Sequence, residues 1–145
     1  MKIIKLLTLI ISISLFLISL TQKCFCTDNG CGDTIAVLFS GGLGFFLSMA
    51  GFTWVASPAL FISWAALKNK PDTSPIFSAI ATALSGSFRF FHTIVADESG
   101  GLTKITAYKC GYWLWLSSCI AMLTGSVIVY VLEDAKTITS PTGHN

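Results

Sequence analysis

TIAVLFSGGLGFFLSMAGFTWVASPALFISWAAL, residues 34–67, decides how this chain is read: it is 34 consecutive residues without an Asp, Glu, Lys or Arg. A soluble domain has no use for such a run. A bilayer core does, because about 18 or more apolar residues in a row are needed for a spanning helix. One unbroken helix would be roughly 51 Å long at ~1.5 Å per residue, against ~30 Å of hydrocarbon. Two full crossings would each need ~17–20 residues plus a turn, and the run is short for that. Gly51 and then Ser57-Pro58 interrupt its second half, and proline lacks an amide hydrogen and crowds the turn before it. The expectation is two short helical pieces joined by a broken helix between Gly51 and Pro58. Trp54 and Trp64 flank that joint, either marking an approach to the membrane interface or packing inside the bundle.

The rest of the chain carries the same signature. Of 145 residues, 53% are hydrophobic and only 11% charged, against about 25% charged in soluble proteins; the mean hydropathy is +0.74. The net charge of +2 is too small to argue for a nucleic-acid partner. These numbers predict an all-α integral membrane protein, a small helix bundle whose first partner is the lipid bilayer.

Residues 1–20 read as a signal peptide or an N-terminal anchor helix: Lys2 and Lys5 precede the apolar run from Leu6 to Leu20, which is long for a signal and short for a span. Residues 21–33 form a Cys-rich external loop with Cys24, Cys26 and Cys31. Three cysteines within eight residues, on the side expected to be oxidising, point to disulfides rather than zinc, for which a fourth ligand and a nearby histidine are missing. Residues 34–132 are expected to hold the transmembrane bundle and residues 133–145 a polar C-terminal tail.

Small residues recur four apart on three predicted helices: Ser40, Gly44 and Ser48; Ala79, Ala83 and Ser87, with Ser78, Thr82 and Gly86 beside them; and Ser117, Ala121 and Gly125. Such stripes let membrane helices approach closely. The glycines around Ser40 do not read as a phosphate loop, because no Lys-Ser/Thr pair follows them. The second predicted span runs from about Pro75 to Ala96, with Arg89 and His92 three apart on one face near its end. Arg89 and His92, with Asp97 and Glu98 in the following loop, form a candidate polar membrane site, or Arg89 simply snorkels toward those carboxylates. A polar linker then leads to Lys109. The last span runs from about Cys110 to Leu132, opening with Tyr112, Trp113 and Trp115 as an aromatic belt and holding Cys119 as a packing residue. No catalytic constellation, cofactor motif or metal-ligand spacing appears.

Two threadings compete. With one net crossing through residues 34–67 and a re-entrant part, the chain crosses four times with both termini in the cytoplasm. Lys2, Lys5, Lys68, Lys70 and Lys136 are then inside, and Lys23, Lys104 and Lys109 outside. A tight hairpin gives five crossings, with Lys2, Lys5, Lys104 and Lys109 inside. The lysine bias is five to three against four to four, favouring four crossings. That path also puts Cys110 on the side of Cys24, Cys26 and Cys31, an even four that are candidates for pairing.

Three stretches, Trp54-Val55-Ala56-Ser57-Pro58-Ala59-Leu60, Asp97-Glu98-Ser99-Gly100-Gly101 and Gly111-Tyr112-Trp113-Leu114-Trp115-Leu116-Ser117-Ser118, together resemble a group of small bacterial multi-pass membrane proteins. That group carries a Trp-x-Ala-Asn-Pro turn and a Gly-Tyr-x-Leu-Trp-Leu helix start; Ser57 stands here in place of the Asn. The resemblance implies a bacterial inner-membrane location and supplies no mechanism. The functional expectation is a non-enzymatic helix-bundle subunit or accessory factor, associating with itself or within a larger membrane complex. The alternatives are a membrane thiol–disulfide oxidoreductase using the external cysteines, and a small transporter or channel with Arg89 and His92 in a polar pathway.

Overall fold

The computed structural model describes residues 2–28, 30–44, 49–95 and 102–139. Five α-helices and four short strands follow one another: α1 (Lys2–Leu20), β1 (Lys23–Thr27), β2 (Gly30–Asp33), α2 (Thr34–Gly44), a 3-10 helix (Met49–Val55), α3 (Ala56–Asn69), α4 (Ser74–Ser87), a 3-10 turn (Phe88–Phe90), β3 (Thr93–Val95), β4 (Leu102–Tyr108) and α5 (Cys110–Thr139). The chain is mostly helical, but it is not all-α. The strands form one antiparallel sheet in the order β2-β1-β4-β3.

Long-range bonds fix the helix directions. Lys5 Nζ lies 2.7 Å from Glu133 Oε1 and Ser12 meets Ser118, so α1 and α5 are antiparallel. Ser78 meets Ser126 and the Tyr112 hydroxyl donates to the Ser85 carbonyl, so α4 and α5 are antiparallel too. Ser63 and Ser74 join α3 to α4 across their short connection. Phe61 and Trp64 of α3 lie against Phe16 of α1. The result is a four-helix bundle of α1, α5, α4 and α3, with the sheet at one end. Lys2, Lys5, Lys68, Lys70 and Lys136 belong to the opposite end, and Lys23, Lys104 and Lys109 to the sheet end.

The bundle buries an apolar core of Phe16, Leu60, Leu67, Met122 and Val129, and beside it a set of small hydroxyl side chains, while its outside is aliphatic. The buried stripe of α1 is Thr8, Ser12, Phe16 and Ser19, while Ile3, Leu6, Ile10 and Leu17 face outward. Ser63, Ser74, Ser78, Ser85, Ser118 and Ser126 are fully buried, and Ile76, Ile80, Ile120, Val127 and Val131 are exposed. The serines close a ring of hydrogen bonds around the bundle. Ser12 donates to the Ser118 carbonyl (3.0 Å) and Ser118 to the Ser12 carbonyl (2.8 Å). Ser78 and Ser126 hydroxyls meet at 3.0 Å, Ser63 and Ser74 exchange bonds at 3.0 and 3.1 Å, and Trp64 Nε1 donates to Ser12 Oγ at 2.9 Å. The buried serines of this ring are thus paired, as burial demands, while Trp115 Nε1 is buried without a hydrogen-bond partner among the described residues. α1 and α5 approach closely at Gly125, where a β-carbon would run into the Thr8 side chain.

Two helices, α1 and α5, are long and apolar enough to cross a membrane. Their apolar windows are only 22% and 33% buried, unlike core helices of a water-soluble domain, whose apolar faces are covered.

The break in residues 34–67 starts earlier than the expected Gly51–Pro58 joint. α2 ends at Gly44, Met49–Val55 is a 3-10 helix, and α3 begins at Ala56 and runs through Pro58; Pro58 sits in its first turn, where the missing amide hydrogen costs no helical bond. Trp54 Nε1 donates to the Leu38 carbonyl at 2.6 Å, so the 3-10 helix lies back alongside α2. Both Trp54 and Trp64 therefore pack within the chain.

Several expected boundaries and faces are corrected. The span expected to reach Ala96 stops at Ser87: Gly86 is a poor helix former, and the β-branched Thr93-Ile94-Val95 pairs with β4 instead. The expected polar linker before Lys109 is β4, in which exposed Lys104 and Thr106 alternate with half-buried Ile105 and Ala107, the period-2 pattern of a strand. α5 does not end at Leu132 but continues to Thr139, held by the Lys5–Glu133 pair. The Ala79 and Ala83 stripe points outward, and the neighbouring Ser74, Ser78, Ala81 and Ser85 form the buried face of α4. Ser87 and Ala121 are half-buried. Ser117 is exposed, and its neighbour Ser118 takes the inner position. Ser40 and Gly44 lie in α2; Ser48 lies outside the described residues. Tyr112 is not interfacial but fully buried, whereas Trp113 is exposed. Cys119 is buried against Leu60 and Met122, as a packing residue.

Candidate functional site

The sheet end gathers four of the five cysteines together with Arg89, His92 and Tyr108. A second core, Cys24, Phe25, Phe88 and Tyr112, seats the sheet on the bundle. Phe88 centres it, with its ring 5.9 Å from those of Phe25, Tyr108 and Tyr112. α5 starts so close beneath β1 that a β-carbon on Gly111 would lie 2.7 Å from the Lys23 carbonyl oxygen. Lys109 N donates to the Cys24 carbonyl at 2.9 Å, and the Thr34 hydroxyl donates to the Gln22 carbonyl at 2.6 Å.

The four cysteines at the sheet end do not all pair. Cys26 and Cys31 are directly opposed on β1 and β2 and form a disulfide. Cys24 and Cys110 are free thiols. Their backbones are neighbours through the Lys109 bond, but Cys24 is buried in the second core, whereas Cys110, the first residue of α5, is exposed. Burial pushes the Cys24 thiol up to about 12, with the Thr34 hydroxyl pulling it partly back. A thiol held that high is almost wholly protonated at neutral pH and a poor nucleophile. Spacing alone identified the cluster; the pairing depended on the hairpin register.

Arg89 and His92 do not share a helical face. Arg89 lies in the 3-10 turn after α4 and His92 just before β3, both exposed at the sheet end rather than inside the bundle. Asp97 and Glu98 lie outside the described residues. Arg89 and His92 line a cleft of about 330 Å³ with Phe91, Ile105, Tyr108 and Trp113. Tyr108 organises it. Its hydroxyl lies 3.0 Å from the Phe88 carbonyl and 2.9 Å from the Phe91 carbonyl, clamping the turn that carries Arg89. The Arg89 guanidinium carbon sits 5.1 Å from the Tyr108 ring centroid, a cation–π distance. Burial raises the Tyr108 phenol, partly offset by the Arg89 charge, so the hydroxyl stays protonated and able to donate. Sequence reasoning missed Tyr108 because its partners arrive from a segment about twenty residues earlier. Its place beside an alternating strand was the only local signal.

Among the described residues, no group of three His, Cys, Asp or Glu is placed to hold a metal ion. Compared with protein-family models, curated proteins and solved structures, the chain matches none.

Proposed function

We propose that this chain is a non-enzymatic multi-pass protein of the bacterial inner (plasma) membrane, a helix-bundle subunit that associates through the outer face of α4. One observation carries the reading: the bundle buries hydrogen-bonded serines within its apolar core and leaves its outside aliphatic. Inward serines that are fully paired, and outward Ile, Leu and Val, suit a lipid solvent in which polar groups must be satisfied internally. In this reading α1, α3, α4 and α5 cross and α2 re-enters from the sheet end. At ~1.5 Å per residue α3 and α4 are only roughly 21 Å long, which local bilayer thinning accommodates. The five-lysine end faces the cytoplasm, and the disulfide-bearing sheet faces an oxidising exterior. The same packing supports α1 as a retained helix, since it supplies Ser12 to the serine ring and Lys5 to Glu133.

The association half of the proposal rests on Ala79 and Ala83. They are exposed beside Ile76 and Ile80, a small-residue stripe that the chain does not use for its own packing and that a second helix fits. Purified in mild detergent, the full chain is expected to run as an oligomer, or with a stoichiometric membrane partner, and Ala83→Leu to release the monomer. A wild-type chain that runs only as a monomer, with nothing co-purifying, overturns the association. Complete extraction of the protein from membranes by alkaline carbonate overturns the membrane reading.

A further inference from the structure

We propose that the cleft at Arg89 binds the phosphate of an anionic phospholipid headgroup, an inference that rests on the membrane reading above. The cleft is built around a positioned cation. The Tyr108 ring supports the Arg89 guanidinium, and the Tyr108 hydroxyl holds the turn beneath it through the Phe88 and Phe91 carbonyls. Arg89 forms no ion pair with a carboxylate among the described residues. A planar guanidinium presents a fork of N–H donors matched to phosphate oxygens. His92 adds a further ring N–H donor on the same wall in either neutral tautomer.

The apolar part of the lining selects a lipid over a soluble phosphate. Trp113 lines the cleft and is 49% exposed. From it, Ile120 and Val127 follow at seven-residue intervals on the outside of α5, both exposed. Seven residues are close to two helical turns, so the three make one apolar track leading away from Arg89 along the bundle. A phosphate on Arg89 with an acyl chain along that track uses both features. A free phosphate uses only the first. The position is also right, because the cleft lies where the aliphatic bundle gives way to the sheet, the level at which headgroups and tryptophans are found.

The test uses the full chain in nanodiscs of phosphatidylcholine with a minor fraction of phosphatidylglycerol, reading the phosphatidylglycerol retained by the protein. Losing a charge-assisted bond of ~1.5–3 kcal/mol corresponds to roughly a tenfold or greater loss of binding. Arg89→Ala is expected to show that loss, Arg89→Lys to restore part of it, and Lys104→Ala, a change on β4 outside the cleft lining, to leave binding at the wild-type level. Excess inorganic phosphate is expected not to displace the lipid. Wild-type lipid retention in a membrane-embedded Arg89→Ala protein overturns the site while leaving the membrane reading intact. Full displacement by inorganic phosphate overturns the lipid assignment, and an equal loss in Lys104→Ala reduces the effect to general surface charge and overturns the site as well.

Discussion

The two regions of this molecule differ in what covers their cores. In the sheet region Phe25, Phe88 and Tyr112 are inside and Lys23, Asp33, Lys104 and Lys109 outside, the ordinary arrangement against water. In the bundle, paired serines share the inside with Phe16, Leu60, Leu67, Met122 and Val129, and the outside is isoleucine, leucine and valine. The two cores meet at Tyr112, whose ring belongs to the first and whose hydroxyl reaches Ser85 in the second. The difference teaches that neither region can be judged by hydrophobicity alone. What matters is what each surface must satisfy: water at the sheet end and, in the reading proposed above, hydrocarbon along the helices.

The largest expected effect tests that contrast directly. Ile80→Asp places a carboxylate on the outer face of α4, where a bilayer would impose a cost of ~3 kcal/mol. Lys104→Asp on the exposed side of β4 is expected to stay within about 0.5 kcal/mol. Membrane-integration efficiency and unfolding in mild detergent would show the gap. Equal tolerance of both changes would mean that the bundle surface faces water, and the contrast would collapse.

Next comes the bundle core itself. Gly125→Leu drives a side chain into Thr8 and is expected to destabilise the α1–α5 contact by about 2–3 kcal/mol, the range for overpacking at a close approach. Thermal unfolding of the detergent-solubilised protein measures it. An unchanged transition would show that α1 does not pack as described.

Within the sheet, reducing Cys26–Cys31 releases a short closed loop worth about 2 kcal/mol of unfolded-state constraint. Faster amide exchange is expected over β1 and β2, with no change in α1 or α5. A loss that spread into the helices would mean that the two regions are not separable units.

The last effect appears only at high pH and concerns Cys24. In the unfolded chain its thiol ionises near 9.0, and in the folded chain only near 12. Between those values the unfolded state has lost a proton that the folded state keeps, so the sheet region weakens as pH rises from about 9 toward 12. Below that window the contribution is constant. Thiol alkylation at neutral pH is accordingly expected to reach Cys110 quickly and Cys24 only on unfolding. Equal rates at the two would contradict the burial of Cys24.

Much of this organisation was legible in the chain. The uncharged run at 34–67, an interruption within it, and the position of the lysines outside the apolar runs follow from composition and local backbone chemistry, whereas the sequence left five-to-three and four-to-four divisions of the lysines open. Arg89 stands out in the sequence as a charge at the end of an apolar span, but the structure puts it in a turn at the sheet end. Helical periodicity was extended through Phe88–Phe90, where the chain turns into a strand. The small-residue stripes show the same limit. Ala79 and Ala83 are as well spaced as Ser78 and Ser85, and spacing cannot say which of two adjacent faces turns inward.

By itself, then, the sequence determined that uncharged apolar helices form, that the run at 34–67 is interrupted, and that the lysines lie outside the apolar runs. Those are properties of neighbouring residues: helix propensity, the missing amide of proline, the placement of lysines. Only the tertiary structure decided which helix faces are buried, that β1 and β4 pair across some eighty residues, that Cys26 takes Cys31 and leaves Cys24 enclosed, and that Tyr108 holds Arg89 over a cleft. Each of these is a long-range contact whose partner is chosen by close packing and by the need to pair every buried polar group.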